Sequence, residues 1–133
     1  MPSTPHRLPA LFAAITGIAV LNGTRKLVDA AVPMSPEVAE QALLAYVAKS
    51  APSDASARQA IAAAGGWLGC VRHLYGRMRA KALASTTLGK LPIPSVCHTL
   101  MEALAVLNRA RIALPTDESL ASDAAWIVAW ARA

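Results

Sequence analysis

Residues 53–85 read SDASARQAIAAAGGWLGCVRHLYGRMRAKALAS, and this stretch decides the fold. Ile61, Ala64, Leu68, Val71, Tyr75, Met78 and Ala82 recur at alternating spacings of three and four, the period of one apolar face on a helix. Ser53 or Asp54 can cap its start. The glycine pair Gly65-Gly66 marks a place where the segment can split or kink. At 100° per residue, Arg58, Arg72 and Arg79 fall just outside one edge of the apolar stripe, and His73, Arg77 and Lys81 fall on the far side. Gly65, Gly69 and Gly76 project near Arg58 and Arg72. A strip without side chains therefore lies beside positive charge, suited either to tight packing between helices of this chain or to close approach by a partner.

The segments on either side read the same way. Leu8 to Leu21 is an apolar run of about fourteen residues, short of the ~20 needed to cross a bilayer. It reads as a core helix in preference to a signal or interfacial segment, because no small-residue cleavage pattern follows it. Asn22-Gly23 is a turn dipeptide that should interrupt this helix, with a short continuation from Thr24 to Ala31 before Pro33. Residues 1–6 are expected to be flexible. Ser35 followed by Pro36, Glu37 and Glu40 signals a helix start, and that helix should end near Lys49. Thr86 to Pro94 reads as a loop, because each proline biases the residue before it toward an extended conformation. A further helix is expected from about Ser95 to Ala113, with a core stripe of Val96, Leu100, Ala103, Leu107 and Leu114. Pro115 stops it, and Thr116 caps a last helix whose stripe is Leu120, Ala124, Ile127 and Ala131.

Composition agrees with helices throughout. The chain has 133 residues, enough for one domain, and 55% of them are apolar. The mean hydropathy of +0.40 owes much to alanine, the strongest helix former. One Phe and two Tyr leave little material for strands. The expected fold is a single all-α domain, a compact bundle of about five helices. Cys70 and Cys97 are too few for a disulfide framework and point to a reducing, cytoplasmic setting.

Charge is the feature most suggestive of function. The formal net charge is +5, and no acidic residue occurs between Asp54 and Glu102. Arg58, Arg72, Arg77, Arg79, Lys81 and Lys90 all fall in that interval, so no neighbour in sequence neutralises them. A solvated basic surface is the plain reading. The functional one is a surface that tracks phosphates and attracts polyanions without reading bases. Arg109 and Arg111 extend it more weakly, since cations at a helix C-terminus also complement the dipole. Trp126 and Trp130, four residues apart on the last helix, either close the core or anchor a neighbouring subunit.

No catalytic constellation is recognisable. Cys70, His73, Cys97 and His98 supply the inventory of a zinc site, but Cys97 and His98 point about 100° apart on a helix and Cys70 projects away from the expected stripe. Neither a metal site nor a cofactor is expected. The few carboxylates suggest no acid–base pair, and glycine-rich phosphate loops and nucleophile elbows are missing. No enzymatic activity and no small-molecule substrate are expected. A membrane is the least favoured partner.

Two family resemblances bear on these residues. Trp67-Leu68-Gly69 is a W-x-G triplet superficially similar to that of helical-hairpin proteins exported by specialised mycobacterial secretion systems. Those proteins set the triplet in the turn between two long helices; here Trp67 begins or continues a helix, and the cysteines and prolines depart from the pattern. In size, all-α character and basicity, above all from Arg58 to Lys90, the chain resembles the helical small subunits of CRISPR effector complexes. That resemblance rests on no signature motif. It implies a non-catalytic subunit that stacks along a ribonucleoprotein, with its basic face against guide or target strands and its apolar patches against neighbours. The alternative is a protein-interaction or structural module, such as a phage or secretion assembly component, without nucleic-acid contact.

Overall fold

Alanine-rich segments separated by prolines and glycines give six helices among the described residues: α1 (Thr4–Asp29), α2 (Pro36–Ala48), α3 (Asp54–Ala63), α4 (Gly66–Thr87), α5 (Ile93–Arg109) and α6 (Glu118–Arg132). The computed structural model describes the backbone of residues 4–30, 34–87, 89, 92–110 and 118–132, and side chains within 15–30, 34–85, 89, 92–110 and 120–132. The described residues contain no strand, and none of their helices is long and apolar enough to cross a membrane. Pro33, Lys90, Arg111, Ala113, Leu114, Pro115 and Thr116 lie outside the described residues, so α5 is followed only to Arg109 and the expected cap of the last helix falls outside them too.

The sixth helix comes from the glycine pair. Gly65 and Gly66 adopt φ of 99° and 73°, a left-handed conformation that side-chain-bearing residues rarely take. Two such residues in succession separate α3 from α4, so the segment splits at the glycine pair, one of the two outcomes its sequence allows, and the helix count rises from about five to six. The phase of the buried face shifts with the break. Trp67, Cys70 and Leu74 are buried along with Val71, Tyr75 and Ala82, while Leu68, expected in the stripe, is 46% exposed.

A second departure is at Asn22-Gly23, which lies inside an unbroken α1. A Cβ at Gly23 would stand 2.7 Å from Tyr46 Cδ1 and 2.8 Å from Leu43 Cδ1. This glycine is there for close helix packing, and no turn forms. Helix α1 also begins at Thr4, inside the stretch expected to be flexible.

The chain gathers into two compact units, residues Met1–His73 and Leu74–Ala133, and α4 contributes to both. In the first unit, α1 packs on α2 and α3, and α2 on α3. Both expected caps form there: Ser35 Oγ accepts from the Val38 amide at 3.3 Å and Ser53 Oγ from the Ser56 amide at 3.1 Å. Ala39, Leu43 and Val47 of α2 are fully buried. Thr24, also buried, donates its hydroxyl proton to the Val20 carbonyl at 2.7 Å. Lys26 holds its ammonium 5.6 Å from the centre of the Tyr46 ring, within cation–π range.

In the second unit, α5 packs on α6. Val96, Leu100, Ala103 and Leu107 are buried as their spacing predicts, with Cys97 and Val106 beside them. Ala82, Val96 and Leu100 form a cluster on which Trp126 and Ile127 rest. The stripe expected on α6 holds in part: Leu120 is buried and Ile127 packs on the cluster, but Ala124 and Ala131 are exposed and Asp123 is buried instead. An ionic contact of Asp123, described below, selects that face.

Candidate nucleic-acid interface

Helix α4 is the centre of the basic surface, and a neighbouring helix caps its start. Glu40 of α2 reaches across and accepts the Trp67 amide through Oε1 at 3.0 Å. A carboxylate from another helix thus satisfies one of the orphan donors at the N-terminus and complements the positive end of its dipole. Gly66 makes room for this, since a Cβ there would lie 2.6 Å from Glu40 Oε1. Gly69 is equally constrained, because a Cβ would overlap the Ala64 carbonyl oxygen. The glycines expected beside positive charge therefore divide. Gly65 and Gly69 serve the turn and its packing, whereas a Cβ at Gly76 would meet nothing within 4 Å.

From that start, α4 carries Arg72, Arg77, Arg79 and Lys81 and no acidic residue. Arg72, His73, Gly76, Arg77, Ala80, Lys81 and Ala84 are exposed on its successive turns. Arg72, Arg77 and Lys81 have no carboxylate within ion-pair distance among the described residues.

Arg79 differs from them. Its Nε donates to Asp123 Oδ1 at 2.9 Å and Oδ2 at 3.1 Å, and its side chain is only 26% exposed. The interval free of acidic residues removes local partners but not one from α6. Arg58 differs too. It lines a groove of about 460 Å³ in the first unit together with Glu37, Glu40 and Gln41, over an apolar floor that includes Leu44 and Ile61. Two carboxylates in the same groove lower the attraction of a phosphate to Arg58. Arg109 is exposed in the last turn of α5, where a cation complements the dipole. Lys90 and Arg111 lie outside the described residues.

The two tryptophans separate. Trp126 is half-buried against the cluster of Ala82, Val96 and Leu100, while Trp130 is 38% exposed near the chain end.

The four metal-type side chains do not assemble. Both thiols are buried, Cys70 among them against the expectation that it projects away from the core, and both imidazoles are exposed. Among the described residues no cluster of three or more His, Cys, Asp or Glu could hold a metal ion. Burial pushes the Cys70 thiol above its ordinary value; a hydrogen bond with Thr24 works against this, and the Glu40 carboxylate adds to it. His98 Nε2 lies 3.6 Å from Glu102 Oε1 on the surface of α5 and pairs with it when protonated.

No family model matches the chain, and no curated protein or solved structure matches it either.

Proposed function

We propose that this protein is a non-catalytic, basic helical subunit of a nucleoprotein assembly, of the kind represented by the small subunits of CRISPR effector complexes. In this reading α4 contacts nucleic-acid backbone through Arg72, Arg77 and Lys81. The observation that carries it is the exposure of these cations on one helix that has no carboxylate of its own. Uncompensated cations on one helix attract a polyanion and release its counterions, and guanidinium forks suit phosphate oxygens. Binding of this kind does not depend on base sequence. Arg79 and Arg58 contribute less, the first because Asp123 holds it and the second because Glu37 and Glu40 share its groove. Ile15 and Ile18 of α1 and Val128 and Trp130 of α6 are exposed apolar side chains available to neighbouring subunits.

The test is titration of the purified chain against a mixed panel of labelled nucleic acids at two salt concentrations, alongside the variant Arg77→Glu/Lys81→Glu. Salt-sensitive binding is expected, with the log–log slope reduced by about 2 in the variant, roughly one unit for each phosphate no longer neutralised. Binding that the variant leaves unchanged would remove α4 as the interface. A second reading, a protein-interaction module, is favoured by the exposed Trp130 ring. It predicts no binding to any polymer and loss of a protein complex on Trp130→Ala.

A further inference from the structure

The groove of about 460 Å³ in the first unit is lined by α2 and α3. Glu37, Glu40, Gln41 and Leu44 recur at spacings of three and four, so one face of α2 forms a wall. Arg58, Ile61 and Ala62 repeat that spacing on α3 and form the other. The walls carry opposite charges that do not pair with each other. Glu37, Gln41 and Arg58 hold no side-chain hydrogen bond or ion pair with any described residue. Glu40 uses Oε1 for the Trp67 amide and has Oε2 left over. Two carboxylates against one guanidinium leave the groove with an excess of negative charge, on a chain whose net charge is +5. The lining of α2 runs for about 10 Å, two helical turns, and the volume is that of a small-molecule site.

We propose that this groove binds a small aryl-alkyl ammonium compound, with one positive charge joined by a short apolar arm to an aromatic ring. An ammonium group has three donors and no acceptor, which matches the Glu37 carboxylate and the remaining oxygen of Glu40. The ring lies on the apolar floor of Leu44 and Ile61. Arg58, which no carboxylate holds, covers the face of the ring, an attractive arrangement for a planar guanidinium. Other ligand classes fit less well. An anion meets two carboxylates for one guanidinium, an uncharged aromatic leaves the carboxylates unused, and an alkyl ammonium gives Arg58 no ring to cover. The occupant is a cation, the opposite of the polyanion assigned to α4, so the two readings stand or fall separately.

The experiment is an amide chemical-shift titration of the isotope-labelled full chain with phenethylammonium and tryptammonium, and with 3-phenylpropionate as an anion of similar shape, all at one ionic strength. Saturable shifts of the Arg58, Ala62 and Gly66 amides are expected with the two cations and not with the anion. Glu37→Gln keeps the shape of an exposed side chain and removes one charge. It should weaken cation binding about tenfold, the loss of one charge-assisted hydrogen bond. Ala62→Phe keeps every charge and fills the groove from an exposed position of α3, and it should abolish binding. Neither substitution touches the bond from the Trp67 amide to Glu40, and the spectra of the variants report whether the fold is kept. No saturation with either cation, equal binding of 3-phenylpropionate, or cation binding undiminished in a folded Ala62→Phe variant overturns the proposal. If Ala62→Phe fails to fold, Glu37→Gln decides alone, and undiminished binding there overturns the proposal.

Discussion

Arg79 grips both oxygens of Asp123 through a single nitrogen, at 2.9 and 3.1 Å, while the Tyr75 hydroxyl donates to Oδ2 at 2.6 Å. Asp123 is 2% exposed, and a carboxylate so buried persists only when charge and hydrogen bonds replace its water. The pair turns α6 so that Asp123 faces inward beside Leu120, and it withdraws Arg79 from the basic surface.

Asp123→Ala would leave the Tyr75 hydroxyl and the Arg79 guanidinium without this partner and should destabilise the chain by about 3 kcal/mol. Asp123→Asn, which keeps a hydrogen-bond acceptor, should lose less. Urea unfolding of the three proteins measures both. Arg79→Ala should lower stability while barely altering the salt slope of nucleic-acid binding, the reverse of the result expected for Arg77 and Lys81.

The bond from the Trp67 amide to Glu40 predicts that Glu40→Ala destabilises by about 1 kcal/mol, as for loss of a helix cap. Gly66→Ala should cost more than that, because it strains a residue with φ of 73° and drives a Cβ to 2.6 Å from Glu40 Oε1. Gly76→Ala should instead stabilise the helix, by about 1 kcal/mol at most, since its Cβ enters open space. Opposite signs at two glycines of one helix, read from thermal melts, would separate a packing requirement from simple helix propensity.

These contrasts mark how much of the molecule is legible in its sequence. The caps at Ser35 and Ser53 and the stripe of Val96, Leu100, Ala103 and Leu107 depend on local chemistry and period, and both are readable. Gly23 looks like a turn residue because its actual role depends on Tyr46 and Leu43, some twenty residues away. The left-handed pair at Gly65-Gly66 resets the helical phase, so the buried face of α4 takes in Trp67 and Cys70 and leaves Leu68 out. The cations of the interface are visible as a run lacking acidic neighbours. That Asp123 claims Arg79 is not, since a partner from a distant helix leaves no trace in local spacing.

The buried Cys70 thiol gives a pH prediction. Its folded-state value is raised above 9.0, chiefly by burial. Its contribution to stability is therefore complete below pH 9.0 and falls as pH rises from there through the folded value, because the unfolded chain releases the proton first. Between neutral and strongly alkaline pH, the parent should lose more stability than Cys70→Ala, measured by denaturant unfolding at each pH. Parallel curves for the two proteins would show that the thiol is not the group responsible.

The last helix offers a comparison of two identical rings four residues apart. Trp126 packs on Ala82, Val96 and Leu100, so Trp126→Ala removes apolar packing from the second unit. Truncation of a fully buried tryptophan costs about 3–5 kcal/mol, and the half-buried position of Trp126 sets the expectation near ~2 kcal/mol. Trp130 is more exposed, and Trp130→Ala should change stability by less than about 0.5 kcal/mol. If α6 meets a neighbouring subunit, the effects exchange order in an association assay. Trp130→Ala then dissociates a complex whose subunits remain folded, since an exposed ring can supply binding energy without having supplied folding energy. Equal loss of stability in the two variants would mean that Trp130 is also part of the core, and would leave no tryptophan on α6 to anchor a partner.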